Sequence, residues 1–306
     1  MMRALCSAAV SIAVLIAACA HDAGSAPAQA TSPGLAFWRD VHAHNTVPAG
    51  ADLSALTHEL VGMLRSPDPE VRDKIATDVF ERWIRVDARL GPDLLRPLVA
   101  ALYDGLHAGI GSRGDDRVFG RTFSALVLSM IAARDVTAPF LRDDELTTMV
   151  TTAAWYAAAE IDLRGYVDGP GWAHAAAHTA DWLYRIAAHP SLGPARADTV
   201  LTAILSLTVR RHGEILHYGE DGRLAQPVLQ LLRLSHIDGP VFSAWLAKLA
   251  APLAAPEPAA FDHALFAAQR NARNLIVTLF VALSVEASPN PAQTAALAAL
   301  HKTITG

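Results

Sequence analysis

Residues 169–190 read GPGWAHAAAHTADWLYRIAAHP, and this run decides the fold class. Gly169, Pro170 and Gly171 punctuate the chain, and nothing from Trp172 to Ala188 breaks a helix until Pro190. Positions three, four and seven apart share a helical face. His174, His178 and Asp181 therefore form a polar stripe that Arg185 continues, opposite an apolar stripe of Ala173, Ala176, Ala177, Ala180, Leu183 and Ala187. The small apolar side chains let a neighbouring helix pack close. The preceding loop brings Asp162, Arg164, Tyr166 and Asp168 towards the helix N-terminus, where free N–H groups and the dipole favour an anion. Asp168 there either caps the helix or flanks an anionic ligand group.

The same pattern runs outward in both directions. From Ala51 onward alanine and leucine dominate, strand-like alternation is missing, and turn signals recur about every fifteen to twenty residues. Helices are predicted at 53–65, 69–85, 92–107, 117–134, 143–160, 171–188, 194–210, 224–235, 240–253, 261–284 and 291–304. Asp68-Pro69-Glu70 and Gly91-Pro92-Asp93 place proline and an early acid at helix starts, and no segment predicts a sheet. Short loops between successive helices imply antiparallel hairpins stacked side by side, so the expected fold is all-α, an open α-solenoid or a closed α/α toroid.

Residues 1–18 carry Arg3 followed by an apolar run too short for a comfortable membrane span, which predicts a signal peptide. Its end, Leu15-Ile16-Ala17-Ala18-Cys19, resembles the lipobox of bacterial lipoproteins, which implies lipidation at Cys19 and a membrane anchor. Ala20 is not the aspartate that retains many such proteins at the inner membrane, so the expected location is periplasmic, at the outer membrane of a Gram-negative cell. Residues 19–50 are expected to form the lipidated cysteine and a flexible tether, and 51–306 a single helical-repeat domain. Cys6 and Cys19 are the only cysteines, so once the signal is removed no internal disulfide is available and stability must come from the core. A net charge of −5 without a basic run excludes nucleic acid as a partner class.

The run Ser66-Pro67-Asp68-Pro69-Glu70-Val71-Arg72-Asp73-Lys74-Ile75-Ala76 resembles part of a HEAT-type repeat, although no exact period recurs. That run with Trp83, the segment Phe119-Gly120-Arg121-Thr122-Phe123-Ser124-Ala125-Leu126, the stretch from Asp162 to Asp181, and Glu220-Asp221-Gly222-Arg223-Leu224 together resemble the bacterial family DUF2785, a domain of unknown function. The resemblance extends from about Leu53 to Leu283 and is carried most specifically by Arg164-Gly165-Tyr166-Val167-Asp168-Gly169 with Gly171-Trp172-Ala173-His174 and His178. It implies a helical-repeat architecture and no particular activity. The resemblance implies a cytoplasmic location for many of its members, so the lipoprotein signal is a departure.

His174 and His178, four apart on one face, have the spacing at which two imidazoles reach one divalent ion such as zinc, with Asp181 as third ligand or orienting group. Ala175 follows His174, so the glutamate of an HExxH protease is missing. The loop RRHGEILHYGEDGRL, residues 210–224, supplies His212, Glu214, His217, Glu220, Asp221 and Arg223 as further candidates. A structural histidine cluster, a metal-free ligand pocket and a metal site all remain open for this pair. Trp172 and Trp182 suit a core or a sugar platform. Asp162 with Asp168, or Glu220 with Asp221, are the carboxylate pairs that glycoside hydrolysis would need. Buried Arg121 requires an acid on a neighbouring helix, and Asn271 and Asn274 suit bonds to loop backbone or a place in the pocket. The reading favours a small-molecule, glycan or protein binding module; the alternative is a hydrolase, metal-dependent or glycan-directed, with its site around His174 and His178.

Overall fold

A computed structural model describes residues 34–210 and 213–306. The expected signal peptide, Cys19, the first part of the expected tether and His212 lie outside the described residues. Residues 34–306 form one unit of twelve helices: α1 Leu35–His44, α2 Leu53–Met63, α3 spanning 70–86, α4 Pro92–His107, α5 Arg117–Thr137, α6 Asp143–Ala159, α7 Ala175–Ala187, α8 Gly193–Thr208, α9 Glu220–Arg233, α10 Gly239–Ala250, α11 His263–Ser284 and α12 Pro291–Thr305. The described residues are all-α apart from one two-stranded ribbon. None of the described helices is long and apolar enough to cross a membrane.

Local chemistry accounts for the helix starts. Asp52, Asp238 and Asp262 each accept a hydrogen bond from a first-turn N–H, and Asn290 and Gln293 form a reciprocal capping box. Helix α3 is wider than its sequence predicts: Glu70–Thr77 and Arg82–Val86 are π-helical around an α-helical turn. The Thr77 hydroxyl donates to the Arg72 carbonyl five residues back at 2.8 Å.

Helices α5, α7, α9 and α11 pack consecutively in one row, while α6, α8, α10 and α12 pack consecutively in a second laid against it. Helix α5 is the axis of the packing, buried along almost its whole length between α4 and α7. Arg121 within it is fully buried and finds Glu160 at 2.6 and 3.1 Å, with its remaining N–H groups on the carbonyls of Ala108 and Gly109. The acid sits at the end of α6, on the neighbouring helix as required, and also accepts from the Tyr156 hydroxyl.

Three expectations need correction. The tether does not extend to residue 50, because α1 buries Trp38 and Val41 and Trp38 meets Trp83 at a ring separation of 6.1 Å. Arg39 adds a two-pronged bond to Glu70 at 2.9 Å. A ribbon is present where none is expected: Tyr166–Val167 pairs antiparallel with Gly171–Trp172. Helix α7 accordingly starts at Ala175 rather than at residue 171. The N–H groups of Ala173 and His174 are taken by the carbonyls of Gly165 and Arg164, at 2.8 and 3.0 Å, which holds them out of the helix. His174 becomes the N-cap, in the left-handed region at φ 52°.

Candidate functional site

An open cleft of about 410 Å³ lies where α3, α5, the end of the ribbon, α7 and α9 converge, lined by Asp73, Thr77, Phe123, Leu126, Trp172, His174, His178 and Arg223. Four of these, Trp172, His174, His178 and Arg223, are residues that the sequence singles out. The opposing wall was not anticipated: Asp73 comes from the HEAT-like run and Thr77 follows directly on it, while Phe123 and Leu126 come from α5.

Arg72 builds the back of this wall. Its side chain is fully buried, donating to the Ser66 carbonyl at 2.9 Å and to the Pro170 carbonyl at the ribbon turn at 2.7 Å. Its Nε lies 2.6 Å from Asp73 Oδ1, and its guanidinium sits over the rings of Phe119 and Phe123 at 4.2 and 4.7 Å. Burial pushes the Arg72 pKa down and the Asp73 carboxyl up, and their mutual attraction opposes both shifts.

The ribbon and the 214–219 loop form an aromatic lip. Trp172 stacks on His174 with centroids 4.3 Å apart and meets Tyr166 and Tyr218 edge-on at 5.0 and 5.4 Å. Tyr218 packs against Gly165, where a Cβ would overlap its ring, and His217 packs behind it at 4.1 Å. Glycine at 165 is therefore a condition of the lip. Asn271 holds the loop beneath, accepting from Leu216 N–H and donating to the Glu214 carbonyl, both at 2.9 Å.

Behind the lip lies a titratable cluster. His178, 8 % exposed and edge-on to Phe123, is pushed down to about 3 by burial, with His174 and Arg223 adding repulsion. Burial also lowers His174, followed by the effect of Arg223, so both rings are neutral at ordinary pH. His174 Nε2 lies 3.6 Å from Glu220 Oε1, beyond hydrogen-bond reach. Glu220, 1 % exposed, accepts from the Tyr218 N–H at 2.7 Å, and burial raises its pKa. His174 Nε2 and His178 Nδ1 are both buried without a hydrogen-bond partner.

The remaining candidates take other places. Asp181 is bonded to Arg223 at 2.5 Å, and burial raises its pKa against that attraction. The expected set of His174, His178 and Asp181 therefore does not assemble; among the described residues no group of three or more His, Cys, Asp or Glu is placed to hold a metal ion. The carboxylate pairs are split as well. Asp162 is buried, gripped by Arg164 at 2.8 Å through two nitrogens and by the Gly114 N–H at 2.8 Å, whereas Asp168 is exposed at the ribbon turn and caps nothing. Glu220 faces His174, while Asp221 accepts from the Thr278 hydroxyl on α11 at 2.5 Å. Asp162, Arg164 and Asp221 are thus fastenings rather than lining. Tyr218 escaped notice as a lone aromatic among charged loop residues.

Rows of packed helices, with an aromatic-lipped open cleft floored by neutral histidines among the described residues, define an all-α protein. By family, the chain belongs to the proteins of unknown function grouped as DUF2785, whose model matches residues 106–281. The matched stretch holds the α5, α7 and α9 walls of the cleft, while Asp73 and Thr77 precede it. No curated protein and no solved structure matches the chain.

Proposed function

We propose that the protein is a ligand-binding lipoprotein of the bacterial envelope, which uses the cleft between α3, α5, α7 and α9 to hold a small molecule without turning it over. One observation carries the reading: the cleft of about 410 Å³ gathers rigid aromatic rings, two neutral histidines and charged groups already paired with each other. That volume falls in the range of about 300–1,000 Å³ usual for small-ligand sites. The helical rows support a repeat architecture of the HEAT-like or toroidal kind, and the lipobox-like Leu15–Cys19 run supports the envelope location.

The test is a stability screen of the full chain against a small-molecule library, with Leu126→Trp as a cleft-filling control. A true ligand at a hundredfold excess over its Kd stabilises by about 2.7 kcal/mol. The expected result is a concentration-dependent rise in Tm for the natural chain and none for the variant. A library that raises both equally sinks the reading. Labelling with a fatty acid, abolished by Cys19→Ser, tests the anchor separately.

The hydrolase reading rests on the approach of His174 to buried Glu220 at 3.6 Å, the kind of spacing that can tighten around a substrate. It requires turnover that His174→Gln removes without loss of stability; a ligand recovered chemically unchanged decides for binding.

A further inference from the structure

We infer that the ligand of this cleft is a neutral saccharide, seated with a sugar face on Trp172 and its hydroxyls among the paired charges of the opposing wall. The inference rests on the cleft being the binding site and goes on to name what fills it.

The first ground is the aromatic lip. Tyr166, Trp172 and Tyr218 are 47 %, 38 % and 41 % exposed, yet they are fixed relative to each other by edge-on contacts. Trp172 stacks on His174, and both rings line the cleft. The Arg72 bond to the Pro170 carbonyl pins the ribbon that carries Trp172, and Gly165 seats Tyr218. Large rings held rigid at the water boundary are a preorganised platform: they offer a flat apolar face with little ordering cost on binding. The C–H face of a pyranose is the matching surface, apolar on one side and ringed by hydroxyls.

The second ground is the charge balance. Each charged group on the lining has its counter-ion in place, Asp73 with Arg72 at 2.6 Å and Arg223 with Asp181 at 2.5 Å. A cation or an anion therefore meets a wall whose charges are already neutralised and gains little net attraction from it. What the pairs still offer is the second carboxylate oxygen of Asp73, the remaining N–H groups of half-exposed Arg223, and the Thr77 hydroxyl lone pairs. Donors and acceptors side by side next to an aromatic face suit hydroxyls, each of which both donates and accepts. A wholly apolar ligand would leave these groups unsatisfied. A bare metal ion finds no set of three donors among the described residues.

The experiment titrates the full chain by calorimetry with cellotriose, maltotriose and the trimer of N-acetylglucosamine, and in parallel with spermidine, trialanine and inorganic phosphate. Saturable binding of at least one trisaccharide is expected, weakened at least about tenfold in Trp172→Ala and at most about threefold in Trp172→Phe, with Asp73→Asn also weaker. Far-UV circular dichroism of each variant checks that the fold persists. Binding confined to spermidine, trialanine or phosphate, and lost in Leu126→Trp, overturns the saccharide and leaves the cleft as the binding site. Saccharide binding that survives both Trp172→Ala and Leu126→Trp overturns the seat on Trp172. Binding of none of the six probes overturns the inference, while the library screen still decides whether the cleft binds at all.

Discussion

Lowering the pH should destabilise the fold through His178, and the size of the effect follows from its burial. An unfolded histidine takes up a proton near pH 6.5, whereas the folded ring resists until about 3. Between those values the unfolded state binds more protons than the folded one, so stability rises with pH. The contribution is fully present above about 6.5, is lost as pH falls, and has all gone by about 3. The slope in that window is about 1.4 kcal/mol per pH unit, which amounts to about 2 kcal/mol between pH 7 and pH 5. Glu220 and Asp181, raised by burial, act in the opposite sense, and His174 acts in the same sense, so total stability alone does not isolate the ring. His178→Leu does, because the other groups remain. Urea unfolding of both proteins at several pH values should give a steeper loss on acidification for the natural chain than for His178→Leu, whatever the variant costs at pH 7. Parallel stability curves would mean that the folded ring accepts a proton freely, and the account of a sealed, neutral His178 would fail.

Other substitutions probe the scaffold. Arg121→Met strands the buried Glu160 carboxylate and should cost about 3–5 kcal/mol by urea unfolding, with Arg121→Met/Glu160→Leu recovering a large part of it. Gly165→Ala should displace Tyr218, at about 1–3 kcal/mol, and weaken the near-UV circular dichroism of the lip with the far-UV spectrum unchanged; Gly222→Ala, with open space around it, is the control. Trp38→Ala should cost about 3–5 kcal/mol and open the 34–50 segment to protease, whereas a segment that is cleaved equally in both proteins would mean α1 is not docked.

Where the helical period is long and the cap chemistry explicit, sequence and structure coincide. Asp68-Pro69-Glu70 and Gly91-Pro92-Asp93 do mark helix starts: Asp68 accepts from the Glu70 N–H at the head of α3, and Pro92 is the first residue of α4. Helix α1 was hidden because its ten residues adjoin an Ala-, Ser- and Pro-rich stretch, and the contacts that repay ordering it, with Trp83 and Glu70, are tertiary. The ribbon was hidden because two-residue strands carry no alternation. Its presence redirects the site: His174 caps α7 in a left-handed conformation instead of riding its first turn, and Asp168 is carried outward to the turn. The polar stripe located the floor of the cleft, since His178 and Asp181 do lie on α7, but spacing along one helix says nothing of the opposing wall. Asp73, Thr77 and Phe123 reach His178 only through tertiary packing, and the one hint was the placement of Arg72 and Asp73 side by side in an otherwise foldable helix.

The bond from Arg72 to the Pro170 carbonyl closes a circuit between residues 98 positions apart. Closing a loop of that length costs entropy before the contact rewards it, so the cleft is expected to assemble late in folding. Interactions absent from the folding transition state hold the native state kinetically: weakening them speeds unfolding and leaves the folding rate nearly unchanged. Arg72 thus acts as a latch, and substitutions there should shorten the lifetime of the assembled cleft far more than they delay its assembly.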